Sequence, residues 1–157
     1  MSGDFHIVVA IDLKAGTERL LAEAQRYALA LNAVVDIIHV APPEPDFVGY
    51  MKSRDPAEKT QDNLIRESEA KTLRAEHQQT QDFAAMLRAN GVRVERALTA
   101  QGPTLATILD ETKKLGADLL VLGSHHHSAF HRLWFGDVAV DASKLVPCSL
   151  LVVPLPE

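Results

Sequence analysis

The chain has 157 residues, of which 46% are hydrophobic and 24% are charged. A chain of this length typically folds as one domain, so we expect a single domain over residues 1–157. Its longest apolar runs are about five residues, whereas a transmembrane helix needs about 20, which argues against a membrane protein. The net charge is −5 and no cluster of Lys or Arg is present, which disfavours binding to nucleic acid or to an anionic membrane surface.

The start of the chain and its cysteine content predict the compartment. Residues 1–4 lead directly into a strand-like run, and no basic segment precedes an apolar one, so we expect no secretory signal. The single cysteine, Cys148, cannot form a disulfide within the chain. Both observations predict a cytoplasmic protein.

Five short apolar runs predict β-strands. Most of them are nearly continuous in Val, Ile and Leu, which is typical of strands covered on both faces of a parallel sheet. In chain order the predicted strands are Phe5–Ile11, Val34–Val40, Val92–Leu98, Asp118–Leu122 and Ser149–Val153. The third run contains three charged residues, which favours a position at the edge of the sheet.

Helical patterns fill the four gaps between these strands. Thr17 can cap the first helix, and the second begins at Asp55-Pro56 and ends near Asn90-Gly91. The first half of the second helix is polar, so we expect it to project into solvent or to fray, while the back half docks on the sheet. The third helix opens at Gly102-Pro103 and ends before Gly116, and Asp137 can cap a short fourth helix.

The alternation of strands and helices predicts an α/β fold with an open parallel sheet and helices on both faces. Ligands in such folds bind beyond the carboxyl ends of the strands, where the strand order reverses. The loops that follow the strands, at residues 12–16, 41–54, 100–102 and 123–136, are therefore the places to look for a site.

Two glycines mark the last of these loops. Gly123 follows the fourth strand directly, and Gly136 precedes the last predicted helix. A glycine after a strand lets backbone N–H groups approach a phosphate, and a helix N-terminus adds a positive dipole end. The alternative is that the two glycines serve only as a turn and as a helix entry.

The chain resembles the universal stress protein family of the single-domain bacterial type. The resemblance is carried by Val8–Asp12, Ile37–Val40, Gly102-Pro103, Ala117–His125, Phe135–Ala139 and Val146–Pro154. It implies a five-stranded sheet in the order 3-2-1-4-5, of the adenine nucleotide alpha hydrolase-like fold, and a homodimer. It also implies a role in the stress response as a binding or regulatory module.

The resemblance further implies an adenine-nucleotide site for ATP or AMP. The implied nucleotide-binding residues lie at the ends of three strands and in the loop between the two glycines, namely Asp12, Val40, Leu122, Gly123, Ser124, His125, His126, Gly136, Asp137 and Val138. Without the resemblance, Asp12 could equally be a turn-capping residue and Val40 simply strand core. No catalytic residue is implied, and we expect no resident metal.

The sequence departs from the family pattern at two phosphate-side positions. Where the pattern has a second glycine this chain has His126, which adds bulk to the loop. Where the pattern has Ser or Thr it has Asp137, which cannot donate a hydrogen bond when ionised. At about 4 Å its charge would repel a phosphate by ~1–4 kcal/mol at effective dielectric constants of 80 to 20. The sequence thus predicts an altered nucleotide pocket.

Two other functions remain open. One is an enzyme that hydrolyses ATP in the same pocket, although no P-loop, G-x-S-x-G or H-E-x-x-H motif occurs. The other is a metal-binding protein, because four of the seven histidines lie between His125 and His131. Structural zinc sites usually have four ligands at fixed spacing, and adjacent histidines point in different directions, which disfavours this second alternative.

The predicted fifth strand indicates how two copies would associate. Residues 150–153 carry no charge and no proline, whereas the other predicted edge carries Arg93, Glu95 and Arg96. An uncharged, exposed edge strand is a site of aggregation unless it is covered. We therefore expect a homodimer joined through strand 150–153. The alternative is that residues 41–54 or the C-terminal tail cover this edge in a monomer.

Overall fold

The computed structural model describes residues 3–41, 56–124 and 145–155. Within these ranges the chain alternates between strands and helices, as the apolar runs predict. The elements in order are β1 (His6–Ile11), α1 (Thr17–Leu31), β2 (Val34–Ala41), α2 (Pro56–Ala89), β3 (Arg93–Gln101), α3 (Thr104–Lys114), β4 (Leu119–Ser124) and β5 (Ser149–Pro154).

The five strands form one parallel sheet in the order β3-β2-β1-β4-β5. This confirms the predicted fold class and places β3 and β5 at the two edges. From β1, the strands β2 and β3 follow on one side, and β4 and β5 follow on the other side. The strand order therefore reverses between β1 and β4.

The sheet separates two apolar clusters. On one face α1 and α2 pack against alternate strand residues, with Leu21, Leu87 and Ile37 among the fully buried side chains. On the other face α3 contributes Ile108 to a cluster that includes Leu120. Both faces are covered, which explains why β1 and β2 are almost continuously apolar.

The start of α1 differs from the prediction. Its N-cap residue is Gly16, which has a positive φ of 96°, and Thr17 is the first helical residue. The Thr17 hydroxyl donates to the carbonyl of Lys14 at 2.8 Å. Thr17 as N-cap was therefore wrong by one residue, because its hydroxyl stabilises the preceding turn instead of capping the helix.

The long α2 has two different halves. Near its C-terminal end Thr80, Ala84 and Leu87 are fully buried against the sheet, whereas Leu64 is 60% exposed. This agrees with the predicted division into a polar front and a docked back. None of the helices in the described ranges is both long and apolar enough to cross a membrane. The predicted fourth helix and most of the loop after β2 lie outside the described residues.

Candidate functional site

The candidate site lies where β1 and β4 separate at their carboxyl ends. The β1–β4 ladder contains three residue pairs and ends at Val9↔Val121. By contrast, β1 pairs with β2 as far as Ile11↔His39, and β4 pairs with β5 as far as Ser124↔Pro154. The ends of β1 and β4 are thus held by their outer neighbours and not by each other. This opens a crevice at the position where the strand order reverses.

Asp12 follows the last residue of β1 and stands at this crevice. Its Oδ1 atom accepts the backbone N–H of Lys14 at 3.0 Å and lies 3.5 Å from the Thr17 hydroxyl. An aspartate that accepts the N–H two residues later forms an Asx turn. The turn-capping role considered from the sequence is therefore present. A carboxylate has about four acceptor positions, so this role is compatible with contact to a ligand.

His39 joins three elements beside Asp12. Its side chain is buried, with Nδ1 at 3.1 Å from the carbonyl oxygen of Ile11 and Nε2 at 3.2 Å from Oε2 of Glu76. Ile11 ends β1 and Glu76 belongs to α2, so the imidazole ties β2 to both. Both ring nitrogens face acceptor oxygens. His39 therefore holds the carboxyl end of β1, which borders the crevice, and its ring nitrogens are not open to a ligand.

Val40 and Leu122, two of the predicted nucleotide-binding residues, are buried in the apolar cluster below α3. Their exposed fractions are 7% and 3%. Their side chains contribute to the core, as the alternative reading of Val40 suggested. Their role towards a ligand stays a prediction, and it would involve the backbone rather than the side chain.

Gly123 and Ser124 form the end of β4 and are half-buried. A Cβ atom on Gly123 would overlap the side chain of Leu155 and lie 3.8 Å from Leu20. Leu155 packs against the cluster that contains Leu20. A side chain at position 123 would therefore have to displace Leu155, so the glycine also serves the packing at this end of β4.

The remaining predicted site residues are His125, His126, Gly136, Asp137 and Val138. They lie outside the described residues, as does the rest of the histidine cluster between His125 and His131. The glycine-loop half of the predicted pocket therefore stays a prediction. Asp12, Gly123 and Ser124 lie at the carboxyl ends of β1 and β4, and their role towards a ligand stays a prediction.

Cys148 lies at the amino end of the sheet, one residue before β5. Burial raises the pKa of the Cys148 thiol, and the negative charge of Asp118 adds to this, while a hydrogen bond with the backbone of Leu120 offsets part of the increase. A raised pKa keeps the thiol in its neutral, weakly nucleophilic form at neutral pH. The thiol is therefore poorly suited to nucleophilic catalysis.

The family model described as the universal stress protein family matches residues 5–154. The chain belongs to the universal stress protein family. It is 29% identical over 152 residues to universal stress protein A homolog 1 of Coxiella burnetii, and the match covers 97% of each chain.

Solved structures of universal stress proteins share the fold. One, determined in complex with cAMP, is similar with a TM-score of 0.60 at 18% identity, and the match covers 99% of this chain and all of the other. Another, an Arabidopsis thaliana member with AMP bound, has a TM-score of 0.58 at 14% identity, with coverage of 97% and 92%. These likenesses establish the same architecture, and in those two proteins it accompanies an adenine nucleotide.

Sequence reasoning missed the partner of His39, which is Glu76. Glu76 lies in the middle of a long polar helix, and nothing in its neighbourhood distinguishes it from the other acidic residues of α2. His39 carried a weak signal, because it is a polar residue within an otherwise apolar run. Only the packing of α2 on β2 reveals that the two form a pair.

Proposed function

We propose that this protein is a non-enzymatic, cytoplasmic binding module of the stress response, a single domain over residues 1–157 that takes an adenine nucleotide. The observation that carries the proposal is the separation of β1 and β4 beside Asp12. This separation lies where the strand order of the sheet reverses, which is the place where open α/β sheets bind ligands. Family members of the same fold hold cAMP and AMP.

The nucleotide that fits best has few phosphate groups. Asp12 offers a carboxylate, which accepts hydrogen bonds from ribose hydroxyls. On the phosphate side, Asp137 adds a negative charge and His126 adds bulk where the family pattern has a hydroxyl residue and a glycine. Each additional phosphate increases the repulsion from Asp137. AMP or adenosine should therefore bind more tightly than ATP.

Titration calorimetry with AMP, ATP and GTP tests this proposal. Asp12→Asn keeps an acceptor oxygen for the N–H of Lys14 but loses the charge, so it should weaken AMP binding roughly tenfold or more without changing the melting temperature. The double variant His126→Gly with Asp137→Ser should strengthen ATP binding roughly tenfold. The matched control Asp110→Ser removes an exposed carboxylate of α3 and should change neither affinity.

Three results would contradict the proposal. Tight binding of ATP by the unaltered protein would show that Asp137 and His126 do not weaken the phosphate side. AMP binding that is unaffected by Asp12→Asn would place the nucleotide elsewhere. Release of inorganic phosphate from ATP by the unaltered protein, lost in Asp12→Asn, would favour the enzymatic alternative.

We also propose a homodimer joined through β5. In the described sheet β5 pairs only with β4, and the side chains of Leu150, Leu151 and Val152 are half-exposed without any charged neighbour on the strand. At the opposite edge Arg93, Glu95 and Arg96 are exposed. Pairing of two β5 strands in a two-fold contact would cover their apolar side chains and use their free backbone groups.

Light scattering distinguishes this dimer from a monomer whose edge is covered by its own chain. The unaltered protein should be dimeric, and Val152→Lys should be monomeric and folded, because it places a charge within the contact. Gln101→Lys, which adds the same charge at the exposed end of β3, should leave the dimer intact. A monomeric unaltered protein, or a folded and fully dimeric Val152→Lys variant, argues against this interface.

A further inference from the structure

A second polar cluster lies at the amino end of the sheet, away from the crevice. It consists of His6, Asp36 and Glu95, which we call the amino-end cluster. One ligand atom from each residue lies within 4.8 Å of the other two. In the described ranges it is the single group of three His, Cys, Asp or Glu residues with a spacing suitable for a metal ion.

A β-bulge brings the third residue into the cluster. Along the β2–β3 ladder Val35 pairs with Val94, but Asp36 pairs with Arg96, so Glu95 is an extra residue on β3. In a bulge two residues of one strand oppose one residue of the other, which redirects a side chain. The carboxylate of Glu95 thereby comes close to Asp36 and His6, which β1–β2 pairing places near each other.

The buried carboxylate of Asp36 is not fully satisfied. Its side chain is completely buried, and its Oδ2 atom lies 2.7 Å from Nε2 of His6 and 3.8 Å from a guanidinium nitrogen of Arg96. Its Oδ1 atom is buried and has no hydrogen-bond partner. Buried polar atoms are almost always paired, so a buried carboxylate with one unpaired oxygen, in a residue that lies within ligand distance of His6 and Glu95, indicates a missing partner.

We propose that the amino-end cluster binds a divalent transition-metal ion of the zinc type. One imidazole nitrogen and two carboxylate oxygens are ligands that Zn²⁺ accepts at about 2.0–2.2 Å, with water completing the coordination. The nitrogen ligand favours zinc over magnesium or calcium, which prefer oxygen ligands alone. Asp36 anchors the site from the interior, and Glu95, 55% exposed, provides the entry from solvent.

Arg96 is the competitor for this site. Its guanidinium lies 3.8 Å from Asp36 and 3.9 Å from Glu95, so its positive charge occupies the same carboxylates that would bind the ion. The Arg96 side chain is 47% exposed and can move towards solvent when an ion enters. Removal of this charge should therefore tighten metal binding by about fivefold or more.

Zinc titration of the untagged protein tests the proposal. Because the loop histidines could bind zinc on their own, the titration uses a background in which four residues are replaced by Asn, namely His125, His126, His127 and His131. This background should bind one equivalent of Zn²⁺. His6→Gln and Glu95→Gln should each weaken binding roughly 100-fold, since even second-shell changes cost 10- to 100-fold. Arg96→Gln should strengthen it.

A neighbouring ion pair provides matched controls. Arg93 and Asp4 lie 3.1 Å apart at the same end of the sheet and are about as exposed as Arg96 and Glu95. Arg93→Gln and Asp4→Asn should leave the zinc affinity unchanged. X-ray absorption should show one imidazole nitrogen among the nitrogen and oxygen ligands, and this signal should disappear in His6→Gln.

Three results would overturn the proposal. The first is no saturable zinc binding in the background or in Arg96→Gln. The second is an affinity that His6→Gln and Glu95→Gln leave unchanged. The third is binding only after Arg96→Gln, which would show that the arginine alone satisfies the native carboxylates.

Discussion

The two ends of the sheet each hold a histidine beside a carboxylate, but the two pairs are built differently. At the carboxyl end His39 lies 3.2 Å from Glu76 and also faces the carbonyl of Ile11, so both ring nitrogens have partners. At the amino end His6 lies 2.7 Å from Asp36, whose second oxygen is buried without a partner. One pair is satisfied within the protein and the other is not.

This difference indicates what each pair does. His39 has a partner for each ring nitrogen and links β2 to β1 and α2, so it holds the backbone in place. The backbone that it holds is the end of β1, which borders the crevice. A buried carboxylate with an unpaired oxygen lowers the stability of the fold. Proteins keep such a destabilising group mainly where it binds a ligand. We therefore expect stability at the carboxyl end and ligand chemistry at the amino end to depend on these histidine pairs.

The largest effect should follow from His39→Ala. The substitution creates a cavity and removes the ring that lies against the carbonyl of Ile11 and the carboxylate of Glu76. We therefore expect the free energy of unfolding to fall by about 2–4 kcal/mol. Urea denaturation of the ligand-free protein measures this change. Because β1 leads into Asp12, AMP binding should weaken in the same variant.

A second substitution isolates the two contributions of His39. Glu76→Gln keeps an oxygen and the helix but removes the negative charge, so it should cost only about 1 kcal/mol. If His39→Ala proves no more damaging than Glu76→Gln, the bond to Ile11 contributes nothing, and the proposed role of His39 in holding the crevice is wrong.

The fold could be predicted from the sequence because its signal is local. The continuous apolar runs and the residues that end the helices predict the order of the elements. This order also predicts the end of the sheet at which Asp12, Gly123 and Ser124 lie. The ends of strands were less well predicted. β4 continues to Ser124 and β3 to Gln101, because backbone pairing with Pro154 and Ala41 extends the strands through residues that are not apolar.

The amino-end cluster could not be predicted, since its members lie in three different strands and share no spacing motif. One signal was present. Asp36 interrupts the apolar run Val34–Val40, and a charged residue in a strand covered on both faces requires a partner. The partner depends on the register of β3 and on its bulge, and nothing local in the sequence indicates either.

The smallest effect, and the sharpest test of the comparison, is expected for Asp36→Val. The substitution removes the unpaired buried oxygen and supplies a β-branched side chain that suits a strand, while His6 and Arg96 keep some access to solvent. Replacing an unsatisfied buried polar group by an apolar one is often neutral or stabilising. In metal-free buffer the free energy of unfolding should therefore stay constant or rise by about 1 kcal/mol.

Asp36→Asn is the matched control, because it keeps the size and polarity of the side chain, leaves a buried polar group without a full set of partners, and removes the negative charge beside Arg96. It should be less stable than Asp36→Val by about 1–2 kcal/mol. Urea denaturation with added EDTA and again with excess Zn²⁺ separates the two contributions, since an ion that binds only the folded state raises its stability. In the background that lacks the four loop histidines, zinc should stabilise the protein with Asp36 and leave its Asp36→Val variant unchanged. A loss of more than about 2 kcal/mol in metal-free Asp36→Val would show that the amino-end carboxylate is as structural as His39, and the contrast between the two ends would disappear.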